Sequence, residues 1–207
     1  IGHRLLFKGG TSLSKILRAI SRFSEDIDIA VDYSALGFTG DRHPHQPGMS
    51  NTKRAKLLDE LMTACQNYIR GEFVETLRAR CSEILAPEGD WALEVDATDP
   101  NVVLFRYPPA ATQQLAYIRP QVILELGTHA EFVPRGWFAV RPFVAEEFPD
   151  FMRDGQAQVE AILARRTFWE KVTILHAEYH RPPDKSLPGR YSRHYYDVAM
   201  MADGPIK

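Results

Sequence analysis

The chain has 207 residues, 44% of them hydrophobic, and a formal net charge of −2 at pH 7. That suffices for one sizeable domain or two small ones around a real core, and it marks a globular rather than a disordered chain. No run approaches the ~20 apolar residues of a membrane span, no charged-then-apolar leader points to export, and the charge balance argues against a wholesale nucleic-acid coat.

The chain opens at Ile1 without a methionine, which points to a piece of a longer protein, and the cytosol is the default compartment. Leu5-Leu6-Phe7 reads as a short buried strand. Gly9-Gly10-Thr11-Ser12 reads as a turn with hydroxyls at a helix start, and Leu13, Ile16, Leu17 and Ile20 as that helix's apolar face. Backbone amides at such a start can hold a phosphate. In the next strand Ile27, Ile29 and Val31 alternate with Asp26, Asp28 and Ala30, so both aspartates share one face, about 7 Å apart along it. One or two magnesium ions fit between them.

Residues 33–49, rich in Gly, Pro, His and Asp, read as a surface loop and a candidate lid, with His43 and His45 either touching substrate or solvated. Ser50 or Asn51 caps a helix carrying Leu57, Leu61, Cys65 and Tyr68, with a break at Gly71 before Phe73, Val74, Leu77, Cys81 and Ile84. Cys65 and Cys81 read as two reduced core thiols. Trp91, Leu93, Val95 and Ala97 alternate, and Asp99-Pro100-Asn101 turns the chain into Val102–Phe105, an expected antiparallel pair. Val122–Leu126 reads as a buried central strand, with Phe138–Val140 and Phe143-Val144 adding an edge. From Gln156 onward the pattern reads as helical: Val159, Ile162 and Leu163, then Phe168, Val172 and Leu175. A breaker run from Arg181 to Gly189 precedes a last helix holding Tyr195, Val198 and Ala199. No internal repeat or low-complexity segment interrupts this order.

A carboxylate inside an apolar strand is costly to bury alone, so Glu125 should have a partner, either a metal or an arginine such as Arg119 or Arg141. Asp96 is a rival carboxylate whose alternating strand points it to solvent. Basic residues gather in two runs, Arg4, Lys8, Lys15, Arg18 and Arg22 ahead of Glu25, and Arg165, Arg166, Lys171, Arg181, Lys185, Arg190 and Arg193 near the end. Two such banks around an acidic centre suit a triphosphate and an RNA end, or are solvated helix faces. His176 and His180 have a zinc-like spacing, but Glu178 does not directly follow the first histidine as a zinc protease requires. The Gly-Lys-Ser order of a phosphate-loop kinase is also absent, since Lys8 precedes the glycines.

The run Lys8-Gly-Gly-Thr-Ser-Leu-Ser-Lys15 through Arg22-Phe-Ser-Glu-Asp-Ile-Asp28 resembles the signature of the AbiEii/AbiGii-type nucleotidyltransferase toxins, a branch of the polymerase-beta-like nucleotidyltransferase superfamily. The superfamily pattern is a Gly-Gly or Gly-Ser turn, a helix, then Asp-apolar-Asp. The fifteen residues between Gly10 and Asp26 exceed the usual spacing and are expected to hold one extra helical turn. The resemblance implies an α+β fold, a mixed sheet flanked by helices, with a nucleotidyltransferase core over residues 1–150 and a helical C-terminal part over 151–207.

It further implies a metal set of Asp26, Asp28 and Glu125 for Mg2+ or Mn2+, and a phosphate set of Gly9, Gly10, Thr11, Ser12, Lys15 and Arg22 for an NTP. Lys171, in a segment similar to the family's third motif, would approach the nucleotide, and Asp197, in one similar to the fourth, would hold Lys171 or an arginine. The implied activity is that of a cytoplasmic toxin of a toxin–antitoxin pair moving a nucleotide onto an RNA 3′ end, transfer RNA first. An antitoxin partner is implied, and no membrane. A protein AMP-transferase and a catalytically idle binding module of the same fold are the alternatives.

Overall fold

The computed structural model describes residues 5–85, 90–109, 119–128, 133–150, 155–182, 184–187 and 189–204. Arg4 of the first basic run and Pro183 and Pro188 of the breaker run lie outside them. The fold is a mixed α+β arrangement of seven strands and flanking helices. By contacts the chain divides into a unit of residues 1–6 and 25–131 and a unit of residues 7–24 and 132–207. No helix among the described residues is long and apolar enough to cross a membrane.

In the first unit, β2 (Asp26–Val31), β3 (Ala92–Val95), β4 (Val102–Arg106) and β5 (Gln121–Gly127) lie in the order β3-β4-β5-β2. β2 and β5 run parallel, while β3-β4 and β4-β5 are antiparallel. The hairpin expected at Asp99–Asn101 is present, and Asp96 serves it, accepting the N–H of Thr98 at 2.7 Å and of Asp99 at 3.1 Å. The Thr98 hydroxyl, donating to the same oxygen at 2.6 Å, and then these N–H bonds hold the Asp96 carboxyl below its ordinary pKa.

Helix α2 (Asn51–Tyr68) is capped by Ser50, whose hydroxyl accepts the Lys53 N–H, and it buries Leu57, Leu61, Cys65 and Tyr68 as the spacing predicted. The break at Gly71 is a wider turn, Ile69–Phe73, that leads without a gap into α3 (Val74–Ile84). An inserted residue of this kind turns the helix face, and Ile84 ends 82% exposed instead of buried. Val31, Ile69, Val103 and Leu126 sit at the centre of this core. Burial raises the pKa of the free Cys65 thiol to about 11, which keeps it inert.

The loop after β2 is more anchored than an open lid. Phe38 packs with Leu57 and Leu61, Pro44 is buried, and the Tyr33 hydroxyl meets His43 Nε2 at 3.1 Å.

In the second unit, β1 (Leu5–Lys8, entered from the first unit), β6 (Arg135–Val140) and β7 (Ala157–Ile162) take the order β1-β7-β6, with β1 parallel and β6 antiparallel to β7. Ala157–Ile162 was expected to be helical. Val159, Ile162 and Leu163 mimic a helical period, but Val159 and Ala161 also alternate, and a segment paired on both edges is held extended by its neighbours. Phe143 and Val144 belong to a five-residue helix, α4 (Phe143–Glu147), because Pro142 cannot donate to a continuing strand.

Helices α5 (Ala164–Tyr179) and α6 (Ser192–Asp203) close this unit. The buried face of α6 is Asp197 and Met201, whereas Tyr195 is 58% exposed. Hydropathy alone cannot foresee that face, because a paired aspartate occupies its centre.

Candidate active site

Within the first unit, register assembles a carboxylate centre. The alternation of β2 sets Asp26 and Asp28 on one face, and the parallel ladder places Glu125 directly beside Asp28, with Asp26 opposite Ile123. One carboxylate oxygen from each of the three lies within 4.8 Å of the others. Asp26 and Asp28 are half-buried. Glu125 is exposed, which corrects its reading as a carboxylate buried in an apolar strand.

Like charges this close repel by about 1 kcal/mol in water and about 4 kcal/mol at an effective dielectric of 20, so gathering three works against the fold. The donor set fits a hard divalent cation. All three ligands are carboxylate oxygens with no thiolate or imidazole among them, and their partial exposure leaves room for the waters that magnesium retains.

Within the second unit, β1 delivers the chain into the glycine turn, and its two glycines are needed for different reasons. Gly9 has φ +71°, a left-handed conformation that an L side chain strains to adopt. Gly10 is ordinary in backbone but crowded: a Cβ there would meet Ser24 Oγ at 2.6 Å and Arg22 Nη2 at 2.9 Å. The short helix α1 (Gly9–Thr11) continues in a wide turn over Ser12–Ile16. The buried Ser12 hydroxyl donates to the Gly9 carbonyl at 3.2 Å, so its role here is to brace the turn.

The helix ends where Arg18 takes φ +47° and Ala19 N–H reaches back to the Leu13 carbonyl at 2.8 Å. The long spacing from Gly10 to Asp26 is therefore not an added helical turn. It is an irregular segment, seated by Ala19 and Ile20 against Leu13 and Met201.

That segment carries Arg22 to a buried ion cluster. Its guanidinium donates through Nε and Nη2 to both oxygens of Asp197, each at 2.7 Å, and Lys171 Nζ lies 2.9 Å from Asp197 Oδ2. Asp197 is fully buried and thus holds both partners weighed for it, the lysine and an arginine. Burial pushes its carboxyl pKa up, but the bonds to Arg22 and Lys171 outweigh that and hold it below the ordinary range.

His194, one turn earlier on α6, is held down by burial first and then by the cations Lys171 and Arg193. Lys15 is also engaged, 3.1 Å from Glu146 Oε1 with its ammonium over the Phe143 ring, while Arg18 lies 3.6 Å from the same oxygen.

The expected residues thus form two sets. Asp26, Asp28 and Glu125 converge in one unit, while Gly9–Ser12, Lys15, Arg22, Lys171 and Asp197 belong to the other. Sequence reasoning missed Glu146, Ser24 and His194. Ser24 left a signal, lying inside the Phe-Ser-Glu-Asp string, and so did His194, lying inside the string around Asp197 that is similar to the fourth motif; Glu146 left none. His176 on α5 and His180, which caps that helix, are exposed neighbours with ring centroids 4.6 Å apart.

A family model described as the nucleotidyl transferase AbiEii toxin of type IV toxin–antitoxin systems matches residues 1–207. No curated protein and no solved structure matches the chain.

Proposed function

The chain belongs to the nucleotidyl transferase AbiEii toxin family of type IV toxin–antitoxin systems, and from that premise we propose that it transfers a nucleotide from an NTP to the 3′ hydroxyl of an RNA, transfer RNA first. The observation that carries the reading is the convergence of Asp26, Asp28 and Glu125 within 4.8 Å. A divalent cation would offset the repulsion among carboxylates gathered this closely.

Asp26, Asp28 and Glu125 would hold magnesium or manganese. Such an ion, when bound, polarises phosphoryl oxygens and lowers the pKa of an acceptor hydroxyl. The exposed Glu125 carboxylate takes the hydroxyl's proton on one of its oxygens. The freed oxygen forms its bond to the α-phosphorus, and the bond to the bridging oxygen breaks, releasing pyrophosphate.

In the second unit the amides of Gly9, Gly10 and Thr11 receive phosphate oxygens, while the Ser12 N–H, which donates to the Gly9 carbonyl, holds the turn that presents them. Arg22 and Lys171 share the single carboxylate of Asp197, so the cluster keeps a formal charge of +1. That surplus offsets charge developing on the phosphates. Lys15 adds a second cation once it exchanges Glu146 for phosphate. Asp197 acts as a positioning residue that fixes both cations. The toxin works in the cytoplasm against RNA and is opposed by a cognate antitoxin.

The test is incubation with each labelled NTP, magnesium and total cell RNA or protein. Label is expected in RNA with wild type and about 10³-fold less with Asp26→Asn, whose fold should persist. Label confined to protein would favour AMP transfer to protein. Transfer by Asp26→Asn at the wild-type rate would remove Asp26 from the chemistry.

A further inference from the structure

The irregular segment that closes the second unit's first stretch, Ser21 to Ser24, is fastened residue by residue. The Ser21 N–H donates to the Tyr196 hydroxyl at 3.3 Å, and Arg22 donates through Nε and Nη2 to both oxygens of Asp197. Arg22 Nη1 also donates to the Phe23 carbonyl at 3.3 Å. Ser24 lies against the glycine turn, with its Oγ 2.6 Å and Arg22 Nη2 2.9 Å from where a Cβ on Gly10 would stand. The residue between these two, Phe23, is 74% exposed.

Single exposed apolar side chains are ordinary on a protein surface. Phe23 differs in its setting. Both of its chain neighbours touch the glycine turn, and successive Cα atoms are about 3.8 Å apart, so the ring stands one residue from the Gly9, Gly10 and Thr11 amides. Its neighbours are already committed, so the segment cannot swing the ring inward, and the ring forgoes the gain of burial. A nucleotide asks for two chemistries, N–H donors and cations for its phosphates and a flat apolar face for its base. This stretch presents them side by side, with Arg22 and Lys171 supplying the charge.

We propose that Phe23 stacks on the base of the incoming NTP. The inference rests on the transferase reading and adds the base contact to it. The NTP is the favoured occupant because its phosphates lie on the same turn that Arg22 and Ser24 touch. A phenyl face stacks every base in the same way, so the contact adds affinity without choosing among the four nucleotides.

The probes are the four NTPs and inorganic tripolyphosphate, which has the phosphates and no base, each bound in magnesium without RNA. Phe23→Ala is expected to weaken every NTP about tenfold and to leave tripolyphosphate binding unchanged. Phe23→Trp should restore NTP affinity, and its fluorescence should be quenched by NTP, beyond any change in wild type, but not by tripolyphosphate. In transfer assays the loss in Phe23→Ala should fall on KM for the NTP and not on kcat. The altered side chain is exposed, and an unchanged melting temperature confirms that the fold is intact.

Equal weakening of NTP and tripolyphosphate would make Phe23 a prop for the turn and overturn the base contact. Unchanged NTP binding in Phe23→Ala, or a rise in KM for RNA alone, would overturn it as well. In each of these cases wild type still labels RNA, and the transferase reading stands. Wild type that binds no NTP at any magnesium concentration would overturn that reading and this contact together.

Discussion

Three carboxylates share a face in one unit, close enough that a divalent cation would offset their mutual repulsion. In the other, a single buried carboxylate already serves two cations. Both clusters are ionic, but they respond oppositely to loss of a charge. Removing a member from a like-charged set relieves repulsion, whereas removing the shared counter-ion strands the charges it neutralised. The first arrangement stores its favourable energy for a ligand, and the second spends it on the fold. Stability and activity measurements should therefore separate the two.

The largest effect is expected from Asp197→Ala. It leaves Arg22 and Lys171 without their carboxylate in a buried place and should cost about 3–5 kcal/mol in denaturant unfolding. A loss below about 1 kcal/mol would mean that water already screens the cluster. Gly10→Ala comes next. Its methyl would meet Ser24 Oγ at 2.6 Å and Arg22 Nη2 at 2.9 Å, so a cost of about 1–3 kcal/mol is expected, together with weaker NTP binding as Arg22 is pushed aside.

The comparison is sharpened by Glu125→Gln. The residue stands directly beside Asp28, and its neutralisation should leave stability unchanged or raise it by up to about 1 kcal/mol while transfer is lost. A variant that unfolds more readily would make Glu125 a structural residue.

The smallest effect concerns acid. Burial and the cations Lys171 and Arg193 hold His194 below its ordinary pKa of about 6.5, so the unfolded chain binds the proton that the folded one refuses. Stability from this group is complete above its folded-state pKa's upper neighbour, the ordinary histidine value, and falls as pH drops below it. His194→Gln should flatten the melting-temperature profile just below pH ~6.5, and an unchanged profile would assign the acid loss elsewhere.

Much of this was legible in the chain. The Asp26/Asp28 face, the Ser50 cap and the buried series on α2 follow from local spacing and stand as read, whereas the glycines open the helix itself and Ile20 lies past its end. What depended on distant partners was not legible in the same way. Glu125 was singled out on the expectation of burial, but it is exposed, and what brings it to the aspartates is strand register with Asp28. Asp197 took a core position that hydropathy reserves for apolar residues, because Arg22 and Lys171 reach it from two other elements. The strand at Ala157–Ile162 shows the same limit: its short apolar pattern satisfies two periods, and pairing on both edges decides between them.

The central claim is that the three carboxylates of the first unit are a divalent-cation site. Thermal unfolding of wild type and Asp28→Asn across a manganese titration tests it most directly. The account predicts stabilisation of wild type that grows with concentration, to about 2.7 kcal/mol at one hundred times the dissociation constant, and its loss in Asp28→Asn. Equal shifts in the two proteins, or none in wild type, would contradict it.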